Sequence, residues 1–81
     1  MPDVTPIVEL FGARDCPYTS ELREHLMWNS VAFVEYDVDT DTSARARLVA
    51  LTGSNAAVPV LVQDGRVTEI GWRGRSCAIA R

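Results

Sequence analysis

Apolar residues along this chain fall into short runs whose spacing changes from one run to the next, and Gly, Pro, Asn and Asp punctuate the gaps. Ile7 to Phe11 is a mostly apolar run closed by Gly12, the pattern of a strand buried on both faces as in a parallel sheet. From Pro17 to about Asn29 the pattern becomes helical: Tyr18, Leu22 and Leu26 share one face while Glu21, Arg23 and Glu24 fall elsewhere, and Pro17 suits a first helical position. Val31 to Val38 is β-branched and aromatic and predicts a second strand, parallel to the first because a helix joins them. Thr40 to Ser43 offers capping oxygens for a second helix that runs to about Thr52, with Ala44, Leu48 and Leu51 inward, Arg45 and Arg47 facing water, and Gly53 as its stop.

Val58 to Val62 and Val67 to Ile70 flank an Asp64-Gly65 turn and predict an antiparallel hairpin. Gly71 and Gly74 bracket a further turn, and Arg75 to Arg81 is long enough for a short terminal helix. The expected order is βαβ followed by αββα: an α/β protein with a four-stranded mixed sheet covered by helices. With 81 residues, no repeat and no linker, residues 1–81 form one domain, and 47% apolar content fits a folded chain rather than a disordered one.

Charge and cysteine usage narrow the function. The net charge is −3 and all eight basic residues are Arg, dispersed from Arg14 to Arg81, so no stripe suits nucleic acid. No apolar run approaches the roughly 20 residues that span a bilayer. Met1-Pro2-Asp3-Val4 lacks the basic, then apolar, pattern of a signal peptide, so the expectation is a cytoplasmic protein without membrane or nucleic-acid partners, and a monomer. Cys16 and Cys77 are too few for a disulfide scaffold or a four-cysteine zinc site, and no metal site is expected.

Cys16 precedes Pro17 at the opening of the first helix and so occupies the N-cap, where its sulfur can accept the N–H groups of Tyr18 and Thr19 and ionise more readily. Arg14 would assist and Asp15 would oppose that ionisation. Thr19 stands where a C-x-x-C motif has its second cysteine, so no disulfide closes across one helical turn; its hydroxyl could bond the Cys16 sulfur or serve only the local backbone. Tyr18 is a candidate groove residue or a partly packed one. Pro59 inside an apolar run marks either an ordinary trans strand start or a cis Val58-Pro59 bond, and the latter would turn the Val58 backbone toward an extended ligand. Cys77 reads either as an inert residue of the terminal helix or as a resolving cysteine. Of the two tryptophans, Trp72 in its Gly-flanked turn is the candidate ligand contact and Trp28 the packed one, while His25 reads as a solvated helix residue.

Cys16-Pro17-Tyr18-Thr19 after a first strand, Val58-Pro59 before a hairpin and a glycine turn at Gly71 together resemble the glutaredoxin branch of the thioredoxin fold. The likeness is greatest to small glutaredoxin-like proteins with a single active-site cysteine, a group in which some members carry selenocysteine there. The resemblance implies that Cys16 is the nucleophile, that Val58 and Pro59 meet the cysteinyl part of glutathione, and that Gly71 holds its γ-glutamyl end. The family usually has Lys three residues before the cysteine and acidic residues after a Gly-Gly pair, where this chain has Ala13 and Gly71-Trp72-Arg73-Gly74; Asn55 is a nearby polar substitute.

The implied activity is glutathione-dependent thiol–disulfide exchange by a monothiol, deglutathionylation-type route. Glutathione would be the co-substrate, and protein or small-molecule disulfides the partners. The alternatives are a module binding glutathione or a bridging iron–sulfur cluster through Cys16, and a thioredoxin-fold adaptor without catalysis.

Overall fold

The structure, a computed structural model, describes residues 7–53 and 57–78. Strand β1 (Val8–Gly12) leads through helix α1 (Pro17–Trp28) to strand β2 (Val34–Asp37), which pairs parallel to β1 with Glu9 opposite Val34. Helix α2 (Thr42–Thr52) returns the chain to the short strand β3 (Ala57–Val58), then strand β4 (Val60–Gln63) and strand β5 (Arg66–Ile70) form an antiparallel hairpin. The main sheet has the order β2-β1-β4-β5, with β4 antiparallel to β1. Asp64 (φ 53°) and Gly65 (φ 81°) both take the left-handed conformation that the two-residue turn between β4 and β5 requires.

Alternation along the strands distributes side chains to the two faces of this sheet. Leu10 joins Leu22 and Leu26 of α1, with Leu61 packed against them, whereas Phe11, Val60 and Val62 pack with Ala44 and Leu48 of α2. Each helix follows from its sequence. The stripe of Tyr18, Leu22 and Leu26 fixes the inward face of α1. Its end is a hydrogen-bonded cap: Ser30, at φ 57°, donates to the Met27 carbonyl and Val31 to that of Leu26. That cap uses Val31 to finish the helix, which is why β2 begins at Val34 rather than at Val31. Asp41 caps α2 by accepting the Ala44 N–H at 3.0 Å.

Arg47 does not simply face water. It reaches back to Glu9, buried on the central strand, with Nη1 to Oε2 at 2.8 Å and Nη2 to Oε1 at 2.9 Å, and the Tyr36 hydroxyl donates to the same carboxylate. The Arg47 hydrogen bonds hold the Glu9 carboxyl below the usual carboxylate range, against the opposing effect of burial.

The expected terminal helix is replaced by a strand. After β5, Trp72 to Arg75 make a tight turn with Arg73 at φ 53° and Gly74 at φ 78°, and the Trp72 and Arg75 backbones exchange hydrogen bonds of 2.7 and 3.0 Å. Strand β6 (Cys77–Ala78) then pairs antiparallel with β3, Cys77 opposite Val58 and Ala78 opposite Ala57. Helix formation from Arg75 would need a sustained first turn, and pairing to β3 fixes the extended form instead. Residues 79–81, the rest of that expected helix, and Asn55 lie outside the described residues.

Candidate active site

Cys16 ends a turn that closes with its N–H donating to the Ala13 carbonyl at 3.2 Å, and its own carbonyl accepts the N–H groups of Thr19 and Ser20. Its backbone is that of an N-cap, extended at φ −91°, yet its side chain accepts no capping hydrogen bond. The sulfur points across the sheet end and is bonded to Cys77, with Cα atoms 6.0 Å apart. Cys16 is buried, and Cys77 lies in a strand rather than in the expected terminal helix. The sequence separation of 61 had hidden the pair, because the turn at Trp72–Arg75 and the β3–β6 ladder are what bring Cys77 back.

Val58 and Pro59 stand beside this bond. The Val58-Pro59 peptide is cis, and the Cys16 sulfur lies 3.8 Å from the Val58 carbonyl oxygen. The backbone edge at Val58, expected to await a ligand, is occupied by the chain's own β6. Gly71 (φ 85°) lies directly under the returning chain: a Cβ there would sit 2.7 Å from the Arg75 carbonyl oxygen. Next to the disulfide opens a cleft of about 230 Å³, lined by Ala13, Asp15, Cys16, Asp39, Cys77 and Ala78, whose charged side chains are both acidic.

The other candidates divide. Thr19 is fully buried and accepts the Ala13 N–H at 3.3 Å, so it orders the loop before Cys16 and does not bond the sulfur. Its partner Gly12 was not anticipated as part of the site, although a glycine closing the strand was the available signal: a Cβ there would fall 2.2 Å from Thr19 Cγ2. Tyr18 is half-buried between the two core clusters with the Arg75 guanidinium 5.9 Å from its ring centre, and Arg14 and Pro17 are exposed.

The burial of the two tryptophans is the reverse of that expected. Trp72 is buried against Leu10, Leu22 and Leu26, so it anchors the turn and is not an exposed substrate contact. Trp28 is 85% exposed because it lies off the Tyr18-Leu22-Leu26 stripe. His25 is exposed as expected, with its ring 4.8 Å from that of Trp72. Asp39, which sequence reasoning passed over, reaches the cleft only through the turn after β2.

The glutaredoxin family model matches residues 8–68, from β1 into β5. The chain belongs to the glutaredoxin family. Within it, a probable glutaredoxin of Synechocystis sp. is 33% identical over 58 residues, which is 70% of this chain and 53% of that relative, so the chain spans about half the relative's length. Among solved structures, the thioredoxin-like protein BC3987 is 35% identical with a TM-score of 0.72, over 82% of this chain and 88% of the other. A glutaredoxin from Archaeoglobus fulgidus shares the fold at 22% identity and a TM-score of 0.67, over 82% of this glutaredoxin and 75% of that one. The chain therefore has a thioredoxin-like α/β fold with a mixed four-stranded sheet. Gly71, Trp72 and Cys77 lie beyond the span of the family match. Among the described residues, no helix is long and apolar enough to cross a membrane.

Proposed function

We propose that this glutaredoxin reduces disulfides by a two-cysteine cycle in which Cys16 attacks and Cys77 resolves. The observation that carries the proposal is the Cys16–Cys77 bond, whose Cα separation of 6.0 Å falls within the roughly 7 Å that a disulfide allows. In the reduced protein the N-terminus of α1 favours the Cys16 thiolate, since Cys16 occupies the N-cap at the positive end of the helix dipole.

The thiolate attacks a substrate R–S–S–R′; a Cys16–S–S–R bond forms and R′S⁻ leaves, taking up a proton. The Cys77 thiolate then attacks the Cys16 sulfur, RS⁻ leaves, and the Cys16–Cys77 disulfide remains, so the substrate gains two electrons and the protein loses them. Two molecules of an external thiol, with glutathione the proposed co-substrate, reduce the bridge and close the cycle. The substrates proposed are protein and small-molecule disulfides. The monothiol, deglutathionylation-type route suggested by Thr19 gives way to this one because Cys77 stands within bonding distance of the nucleophile.

Mass spectrometry of the reduced protein after mixing with hydroxyethyl disulfide tests the reading. The wild type is expected to lose two hydrogens with no lasting adduct, Cys77→Ala to hold one adduct on Cys16, and Cys16→Ser to react with neither outcome. A wild-type protein that accumulates the adduct would return the chain to a monothiol scheme, and an unreactive wild type would leave an adaptor.

A further inference from the structure

Cys16 is buried, and the cleft that it lines together with Cys77 gives access to the sulfurs. The charge of that cleft is one-sided, because Asp15 and Asp39 are the charged residues of its lining. Both are held by hydrogen-bonded turns. Asp15 lies in the turn that the Cys16 N–H closes on the Ala13 carbonyl. Asp39 lies in the turn after β2, where its N–H donates to the Asp37 carboxylate at 3.0 Å and the Asp41 N–H to the Asp37 carbonyl at 2.9 Å. The Val38 N–H ties that turn to the Gly12 carbonyl at the end of β1. None of these attachments involves β6. A two-residue ladder is marginal by itself, so the bond to Cys16 is the main tie of β6, and reduction frees it while both aspartates stay beside Cys16.

Arginines nearby are engaged elsewhere. Arg47 is bonded to Glu9 and Arg23 to Glu35, Arg73 and Arg75 lie over the rings of Trp72 and Tyr18, and Arg14 is exposed and does not line the cleft. No hydrogen bond or ion pair joins either aspartate carboxylate to another described residue. We infer that Asp15 and Asp39 determine specificity: the site takes small-molecule disulfides that carry an ammonium group a few atoms from sulfur, and discriminates against those that carry a carboxylate there. The cleft volume of about 230 Å³ lies below the roughly 300 Å³ at which pockets for larger ligands begin, so it suits one arm of a small disulfide. The inference rests on the two-cysteine reading above and adds the substrate class; the bonds made and broken are those of that cycle. A ligand charge about 7 Å from an aspartate in water gains or loses about threefold in occupancy, and two aspartates together give about sevenfold. The thiol that reopens the bridge meets the same charges, so glutathione, with two carboxylates and one ammonium, reacts there more slowly than an aminothiol.

The test mixes the reduced full chain with cystamine, hydroxyethyl disulfide or 3,3′-dithiodipropionate, which are cationic, neutral and anionic. Acid quenching and mass spectrometry give the rate at which the protein loses two hydrogens. Each rate is divided by that of mercaptoethanol thiolate with the same disulfide, a nucleophile with the charge of the Cys16 thiolate, which removes the disulfides' own reactivities. The corrected ratio of cystamine to dithiodipropionate is expected to be about twentyfold at 0.01 M ionic strength and under about twofold at 1 M. Asp15→Asn or Asp39→Asn is expected to lower the ratio at low salt by about fourfold, and the pair to bring it near unity. A change in the Cys16 thiolate caused by either substitution acts on all three probes and cancels in the ratio.

Equal corrected rates for the three disulfides at low salt overturn the charge selection and leave the cysteine chemistry standing. A ratio that does not change with salt overturns it as well, and this reading needs no variant. A ratio that persists in the doubly substituted chain overturns the assignment to Asp15 and Asp39. Failure to react even with the neutral hydroxyethyl disulfide overturns the two-cysteine reading itself.

Discussion

Reducing the Cys16–Cys77 bond has a stability cost that can be worked out from where the chain is anchored. With a sequence separation of 61, the bridge closes a loop in the unfolded chain worth about 4.3 kcal/mol by the chain-entropy relation. That full value applies only if the native reduced chain keeps β6 in place. If β6 comes free, re-forming the bond in the native state must immobilise the arm from the buried Trp72 to Cys77, a segment of about five residues costing about 2 kcal/mol by the same relation. The expected difference between oxidised and reduced protein is therefore about 2 kcal/mol.

Urea unfolding with and without a reductant measures it. With a slope near 1 kcal/mol per molar for a chain of this size, the midpoint is expected to fall by about 2 M with the slope little changed. A loss of about 4 kcal/mol would show β6 docked without its bond and refute its release. No loss at all would mean that the bond does not close the native loop.

Other substitutions probe the supports of the site. Gly12→Ala is expected to destabilise by about 1 to 3 kcal/mol, because its Cβ would meet Thr19 Cγ2 at 2.2 Å, and the added Thr19→Ser should recover much of that in a double-mutant cycle read by thermal unfolding. Glu9 has a folded-state pKa below its unfolded value, so its contribution is present above the unfolded value and is lost as pH falls through the folded one. Arg47→Met should flatten that acid limb of the stability profile, and an unchanged limb would count against the ion pair. Trp72→Ala is expected to cost about 3 to 5 kcal/mol and Trp28→Ala less than about 0.5, as judged by denaturant midpoints.

What could be read from the sequence was whatever local periodicity encodes. The stripe of Tyr18, Leu22 and Leu26 set the face of α1, Asp64-Gly65 set the β4–β5 turn, and Gly53 marked the end of α2. The same stripe, applied strictly, would have placed Trp28 outside, since it lies two positions past Leu26. The β6 strand had no such signal. Its conformation is dictated by Ala57 and Val58, some twenty residues earlier, and by a bond to Cys16, and neither leaves a mark on Arg75 to Ala78 themselves. The site was thus half legible: Cys16, Val58 and Pro59 stood out by position, whereas the partnership with Cys77 is a property of the folded chain. The contact of Arg47 with Glu9 likewise spans 38 positions and escapes any helical wheel.

Burial of Trp72 also limits how far a freed Cys77 can wander. An arm of about five residues reaches no more than about 17 Å, so the thiol samples a volume equivalent to a local concentration on the order of tens of millimolar. An external thiol must rival that figure before it captures the Cys16 mixed disulfide ahead of Cys77. At lower concentrations the second step is intramolecular whatever the substrate, and its rate is set by the length of the tether between Trp72 and Cys77. Lengthening that tether with glycines would dilute Cys77 and let external thiols compete.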